Sequence, residues 1–240
     1  MSKMPRTPVL GLIYPPAARG VPEEGVAMYG ERLQFAVTGL GVEHMTPAGF
    51  DAVMERIPAA AAQLAAAGAD AIELTGTSLT FYKGEAFNRQ LCDIVSKTSG
   101  VPATTMSNGV IDALKAVGAR RVAAATAYND VVNDRLRAFL LEHGFEPVAV
   151  TGLGIEALAD VDRVTQSDLI DWGIRVCESA PTADALLVSC GGFRTLEIIA
   201  PLEERVGVPV ISSMPHGLWA GAKLVGLSGA SPGYGRLLST

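Results

Sequence analysis

The sequence predicts an α/β protein of two pseudo-symmetric halves, each a parallel sheet with helical crossovers, and three observations carry that reading. Short apolar runs alternate with longer segments of helical period. Glycines stand where the helical segments stop. The order of these features repeats once along the chain.

Taken in order, the run at residues 9–14 is short and almost wholly apolar, as a strand buried on both faces requires. A helix is expected over 47–67: Thr46 supplies an N-cap, Pro47 suits the first helical position, and Gly68 supplies the left-handed residue that ends it. A strand at 71–75 follows, then a helix at 84–97 closed by Gly100, a strand at 101–105 and a helix at 109–117 closed by Gly118. The next strand, 122–126, leads to a helix at 130–142 closed by Gly144, and then to a strand at 147–150. Thr165 with Asp168 reads as a capping box opening a helix at 166–179. A strand at 185–189, a helix at 196–206 closed by Gly207 and a strand at 208–211 complete the series.

The repeat divides the chain. Ala69-Asp70-Ala71, four residues and then Gly76-Thr77-Ser78 match Ala183-Asp184-Ala185, four residues and then Cys190-Gly191-Gly192. Gly100-Val101-Pro102 with Met106 and Gly109 matches Gly207-Val208-Pro209 with Met214 and Gly217, and Tyr14-Pro15-Pro16 matches Ala127-Tyr128-Asn129. One half is expected over 1–115 with 216–240, the other over 116–215. Ligands of open parallel sheets bind beyond the carboxyl ends of the strands, so a small molecule would be gripped in the cleft between the halves. The loops at 14–16, 76–78, 106–108, 128–129, 190–192 and 214–217 would converge there.

Composition excludes several function classes. The chain of 240 residues is 49% hydrophobic and 18% charged, enough for a full core, since folding at this size removes roughly 70% of the extended chain's surface. No stretch approaches ~18 uncharged apolar residues; the richest, 59–71, reads as a buried helix, so no membrane span is expected. Residues 1–8 lack the apolar block of a secretory signal. Cys92, Cys177 and Cys190 are an odd set without metal-ligand spacing, which suggests reduced thiols in a cytoplasmic protein. A net charge of -6, with Arg120-Arg121 the densest basic spot, argues against a nucleic-acid partner.

Among the strand-end residues, Cys190 opens a Gly-Gly turn whose backbone N–H groups suit an anion, and a thiol there can serve as proton donor, base or nucleophile. Gly76-Thr77-Ser78 at the equivalent place offers N–H groups and two hydroxyls, although Thr and Ser are also ordinary helix caps. Tyr128 is placed to offer its phenol to an anionic oxygen. His216 reads mainly as structural, Cys92 and Cys177 as packing residues within helices, and Lys83 as a solvated lysine at a helix start. No metal-ligand cluster, phosphate-binding glycine loop or nucleophile-elbow serine is present in the sequence, so no metal and no nucleotide cofactor are expected.

These motifs resemble the aspartate/glutamate racemase superfamily and, within it, the arylmalonate decarboxylase family. The matching residues are Gly11-Leu12-Ile13-Tyr14-Pro15-Pro16, Gly39-Leu40-Gly41, Thr46-Pro47, Gly76-Thr77-Ser78-Leu79, Phe81-Tyr82, Thr104-Thr105-Met106-Ser107, Ala125-Thr126-Ala127-Tyr128, Ser189-Cys190-Gly191-Gly192 and Pro232-Gly233-Tyr234-Gly235-Arg236-Leu237. The resemblance implies cofactor-independent decarboxylation of an α-aryl or α-alkenyl malonate, a small dicarboxylate; a monomer is expected, since the site needs only the two halves of one chain. It implies Cys190 as the proton donor, with Thr77, Ser78, Tyr128, Gly191 and Gly192 as the carboxylate and oxyanion cradle. Pro15, Val42, Met45, Ile155 and Leu158 would form an apolar pocket. Racemases and maleate isomerases of the superfamily are known for a cysteine in each half; here Gly76 holds the second position, which suits protonation from one face only. Tyr14 stands where a smaller aliphatic residue is expected, and Glu43 and His44 make the 41–45 stretch polar; all three bear on substrate range. A racemase or cis–trans isomerase, and a carboxylate-binding protein without turnover, are the alternative readings.

Overall fold

The computed structural model describes residues 6–18 and 20–240. Its first sheet contains β1 (Val9–Tyr14), β2 (Gln34–Gly39), β3 (Ala71–Leu74) and β4 (Ala103–Thr105), all parallel, in the order β2-β1-β3-β4. The second contains β5 (Arg121–Thr126), β6 (Glu146–Gly152), β7 (Ala185–Ser189) and β8 (Val210–Ser212), parallel and in the order β6-β5-β7-β8. The two orders are the same, so the sequence repeat is a structural one. Helices α1 (Glu23–Tyr29), α2 (Pro47–Asp51), α3 (Ile57–Ala66), α4 (Thr77–Phe81) and α5 (Glu85–Ser99) precede β4. Helices α6 (Met106–Ala116), α7 (Asp130–Glu142), α8 (Gln166–Ser179), α9 (Leu196–Val206) and α10 (Ser213–Leu224) complete the chain.

The repeated Ala-Asp-Ala signature has a mechanical role. Asp70 accepts a hydrogen bond from the Val9 N–H at 2.8 Å, and Asp184 accepts from the N–H groups of Arg120 and Arg121 at 2.8 Å, so each aspartate fastens the start of the neighbouring central strand. Gly68, Gly100, Gly118, Gly144 and Gly207 all hold positive φ after their helices. Thr46 accepts from the Gly49 N–H, and Thr165 with Asp168 forms the expected capping box.

Several elements differ from expectation. β2 is an edge strand, mostly half-buried, so it lacks a continuous apolar run. The helix expected over 47–67 is broken into α2, a 3₁₀ turn and α3. Pro58, which cannot donate to a preceding turn, sits at the start of α3. α6 begins at Met106, three residues early, because Thr105 caps it by accepting from the Asn108 N–H. α1 and α4 are too short for a periodic signal, and α10 contains Pro215, Gly217 and Gly221, which burial of residues 213–222 overrides. The pairing of 14–16 with 127–129 is shifted by one: Leu40 N–H donates to Tyr14 as Leu153 N–H donates to Thr126, so Tyr14 corresponds to Thr126.

Three contacts close the two four-strand repeats on each other, each repeat counted to the end of the helix that follows its last strand. The first is α6 against α10, where a Cβ on Gly109 would lie 2.8 Å from the Gly217 Cα and 2.8 Å from the His216 carbonyl oxygen. Both neighbours are backbone and cannot turn aside. Gly109→Ala is therefore expected to part the helices and cost about 1–3 kcal/mol, read as a melting-temperature drop of about 2–4 °C per kcal/mol; an unchanged melting curve would show that the crossing is loose. The second is an antiparallel bridge between the loops after β2 and β6, with Met45 N–H donating to Glu156 and Leu158 N–H to Glu43. The third is Glu24 of α1, whose Oε1 accepts from the N–H groups of Thr195 and Leu196 at 2.7 Å each, at the start of α9. The C-terminal tail bonds to both halves: Ser231 donates to Met28, and the Arg236 N–H donates to Glu203. The three cysteines are free, and among the described residues no helix is long and apolar enough to cross a membrane.

Candidate active site

The carboxyl ends of β3 and β7 face each other across a cavity of about 450 Å³. Gly76, Thr77 and Ser78 line it from one half, and Cys190, Gly191 and Gly192 from the other. The two turns approach closely, since a Cβ on Gly191 would lie 3.8 Å from the Gly76 nitrogen and 2.9 Å from the Met106 sulfur. Gly76 has φ +88°, and its Cβ would stand 2.2 Å from Cγ of Pro15. Glycine at 76 thus serves the backbone as well as leaving that face without a side chain.

Cys190 is buried at the end of β7. Desolvation pushes its thiol up to about 11, against the opposing pull of the Gly192 and Phe193 N–H groups, with the Asp162 carboxylate raising it further. The group is a neutral thiol at physiological pH, suited to giving a proton.

Thr77, on the same cavity, anchors a network of hydroxyls. Thr77 donates to Ser213 at 2.7 Å, Ser107 donates to the Thr77 carbonyl at 3.1 Å, and Thr80 pairs with Ser107 at 2.6 Å. Tyr128 stands behind the cavity wall rather than on it. Its hydroxyl lies 3.1 Å from Ser189 and within hydrogen-bonding range of Thr77 and Ser78, and burial holds the phenol well above its usual pKa. The sequence assigned no role to the serines at 107, 189 and 213, although the first two stand in the matching motifs and each sits on or beside a repeated strand end.

Of the expected apolar wall, Pro15, Met45 and Leu158 line the cavity. Val42 and Ile155 do not; they are equivalent residues of the two halves, with N–H groups tied to the carbonyls of Pro15 and Ala127, Val42 buried in the core and Ile155 half-buried against it. Phe50, Val161, Phe193 and Leu196 also line it without having been expected, and Met214 joins them from the expected loop at 214–217. Glu43 and His44 are exposed and lie off the cavity, whereas Tyr14 lines it. His216 is buried with Nδ1 against the Ser212 backbone, and desolvation takes it down to about 4, so it is a neutral structural group. Lys83 is outside the cavity, paired with Asp51 at 2.5 Å. Among the described residues no cluster of histidine, cysteine and carboxylate side chains could hold a metal.

The arylmalonate decarboxylase family model matches residues 10–238. The chain is 47% identical to arylmalonate decarboxylase of Bordetella bronchiseptica over 232 residues, 96% of each chain. The chain belongs to the arylmalonate decarboxylase family. By that membership it is a carboxy-lyase. A crystal structure of a liganded double mutant of arylmalonate decarboxylase, carrying one glycine-to-cysteine and one cysteine-to-serine change, superposes with a TM-score of 0.94 at 45% identity, covering 97% of this chain and 99% of that one. The maleate isomerase of Pseudomonas putida S16 shares the two-halved fold, with a TM-score of 0.88 at 22% identity over 98% of this chain and 99% of that one. Within the arylmalonate decarboxylase family fold, the lone thiol of Cys190 and the bare face of Gly76 occupy equivalent strand ends of the two halves.

Proposed function

We propose that the protein decarboxylates α-aryl or α-alkenyl malonates without a cofactor, through an enediolate that Cys190 protonates on one face. The observation that carries this is a single neutral thiol facing Gly76 across a cradle of hydroxyls, in a chain of the arylmalonate decarboxylase family.

One carboxylate of the substrate rests on Thr77, Ser78 and the N–H groups of Gly191 and Gly192, with Tyr128 behind them. The other faces Pro15, Met45 and Leu158, where poor solvation favours its departure as neutral carbon dioxide. Cleavage of the carbon–carbon bond leaves its electron pair on the α-carbon and the retained carboxylate. The cradle stabilises the resulting enediolate, and one well-aimed donor there contributes roughly 3 kcal/mol. The thiol of Cys190 then transfers its proton to the α-carbon, and the thiolate regains a proton from solvent. The α-substituent delocalises the charge, so the scheme calls on no metal or organic cofactor. Both halves of the site come from one chain, so it requires no partner subunit.

The test is carbon dioxide release from α-methyl-α-phenylmalonate in the presence of a chelator and without added cofactor. Release with one enantiomer of the monocarboxylic acid in excess is the expected result. No release, together with hydrogen exchange into a chiral α-aryl acid in heavy water, would turn the assignment to a racemase. Binding with neither reaction would make it a carboxylate-binding protein.

A further inference from the structure

The cavity lining changes from end to end. Where the loops after β2 and β6 pair, Met45, Phe50, Leu158 and Val161 line it. Where α1 meets the start of α9, the polar side chains of Tyr14, Glu24 and Arg194 join apolar Val21, Phe193 and Leu196. If the departing carboxylate takes the first end, as the proposed decarboxylation requires, the α-substituent extends toward the end that Tyr14 lines.

Glu24 is already engaged, its Oε1 holding the N–H groups of Thr195 and Leu196. Tyr14 is not. Its ring packs against the core at the end of β1, yet among the described residues nothing hydrogen-bonds its hydroxyl, and that hydroxyl is not among the buried polar atoms that lack a partner. It is therefore an open donor on a cavity-lining residue. Burial and the carboxylates of Glu73 and Glu24 all hold the phenol above its usual pKa, so it remains protonated. The Glu24 carboxylate disfavours a second anion at this end. A neutral acceptor is the chemistry that fits: it satisfies the hydroxyl without adding charge.

We propose that Tyr14 is a specificity residue, and that the preferred substrates are malonates whose α-aryl group ends in a neutral hydrogen-bond acceptor, such as an alkoxy or hydroxyl group. This rests on the decarboxylase reading for its orientation. Tyr14→Phe removes only an oxygen that has no partner among the described residues, so folding is not at stake.

The experiment compares kcat/KM for phenylmalonate and 4-methoxyphenylmalonate in the wild-type protein and in Tyr14→Phe. The electronic effect of the methoxy group on the enediolate is common to both proteins and cancels in the ratio. Tyr14→Phe is expected to lose about 3–10-fold on the methoxy substrate, the range of one neutral hydrogen bond, and less than about twofold on phenylmalonate. Equal changes on both substrates, or none on either, would overturn the proposal. Should the wild-type protein turn over neither malonate, the decarboxylase reading falls by itself. Calorimetric binding of 4-methoxyphenylacetate against phenylacetate then decides the role of Tyr14, with the same selective loss expected in Tyr14→Phe and an equal or absent loss overturning it.

Discussion

Cys190→Ala is expected to retain the fold and to lose at least about 10²–10⁴-fold in the rate of forming optically active acid, the range a positioned proton donor supplies. The side chain is small, and truncating a buried thiol removes few contacts, so the melting temperature should move little. What is lost is the only titratable proton at the end of β7 that faces the cradle. The outcome separates two steps. If carbon–carbon cleavage were already fast without the thiol, the variant would still release carbon dioxide, but water would protonate the enediolate from either face and the product would be racemic. If cleavage and protonation are coupled, both gas release and product fall together. Retained rate with retained enantiomeric excess would remove Cys190 from the mechanism. The pH profile supplies an independent reading. The thiol is the active form and burial holds it up to about 11, so this group imposes no fall in activity until the pH approaches that value. A thiolate base would predict the reverse, with activity rising as the pH approaches 11.

Much of this was legible in the sequence, for identifiable reasons. Strands buried on both faces, such as β5 and β7, write themselves as uninterrupted apolar runs, and their helices carry caps that are local in sequence. The paired turns at Gly76 and Cys190 were readable because symmetry placed them at the same offset from the same signature. What escaped depends on contacts between distant residues. β2 is half-buried at an edge, α10 is helical only because its glycines and proline are enclosed, and Val42 and Ile155 lie off the cavity wall, their N–H groups held by the carbonyls of Pro15 and Ala127 at the ends of the neighbouring strands. Tyr128 belongs to the site without touching the cavity, which no spacing in the sequence can express. Its role depends on where Ser189, Thr77 and Ser78 end in space.

Glu73 is the other position where a large effect is expected, and it was invisible beforehand, because a single carboxylate inside an apolar strand reads as a mistake in the pattern. In β3 it pairs with Leu12, and the equivalent residue of β7 is Leu187. The side chain is fully buried, and among the described residues neither carboxyl oxygen has a hydrogen-bond partner. It is accommodated because α10 presents Gly217 and Gly221 to it; a Cβ at 217 would stand 2.3 Å from Oε1. Desolvation alone raises this carboxyl to about 8 from an ordinary 4.5. Between those values the folded chain holds a proton that the unfolded chain has released, so stability falls as pH rises through that window and levels off above about 8. At 1.36 kcal/mol per unit of pH, the loss accumulates to the order of 3–5 kcal/mol. Glu73→Leu, which restores the residue found in the other half, is expected to unfold at clearly higher urea concentration than the wild-type protein at pH 8 and to differ little near pH 4.5. Glu73→Gln should flatten the same pH dependence while keeping an unpaired polar group. The difference between wild type and variant isolates this group from the other carboxylates, all of which titrate in both. Urea midpoints that ran parallel between pH 5 and pH 8 would show that Glu73 is ionised in the folded state. Tyr14, whose hydroxyl its charge would hold further above its usual pKa, would then carry that charge's influence toward the cavity.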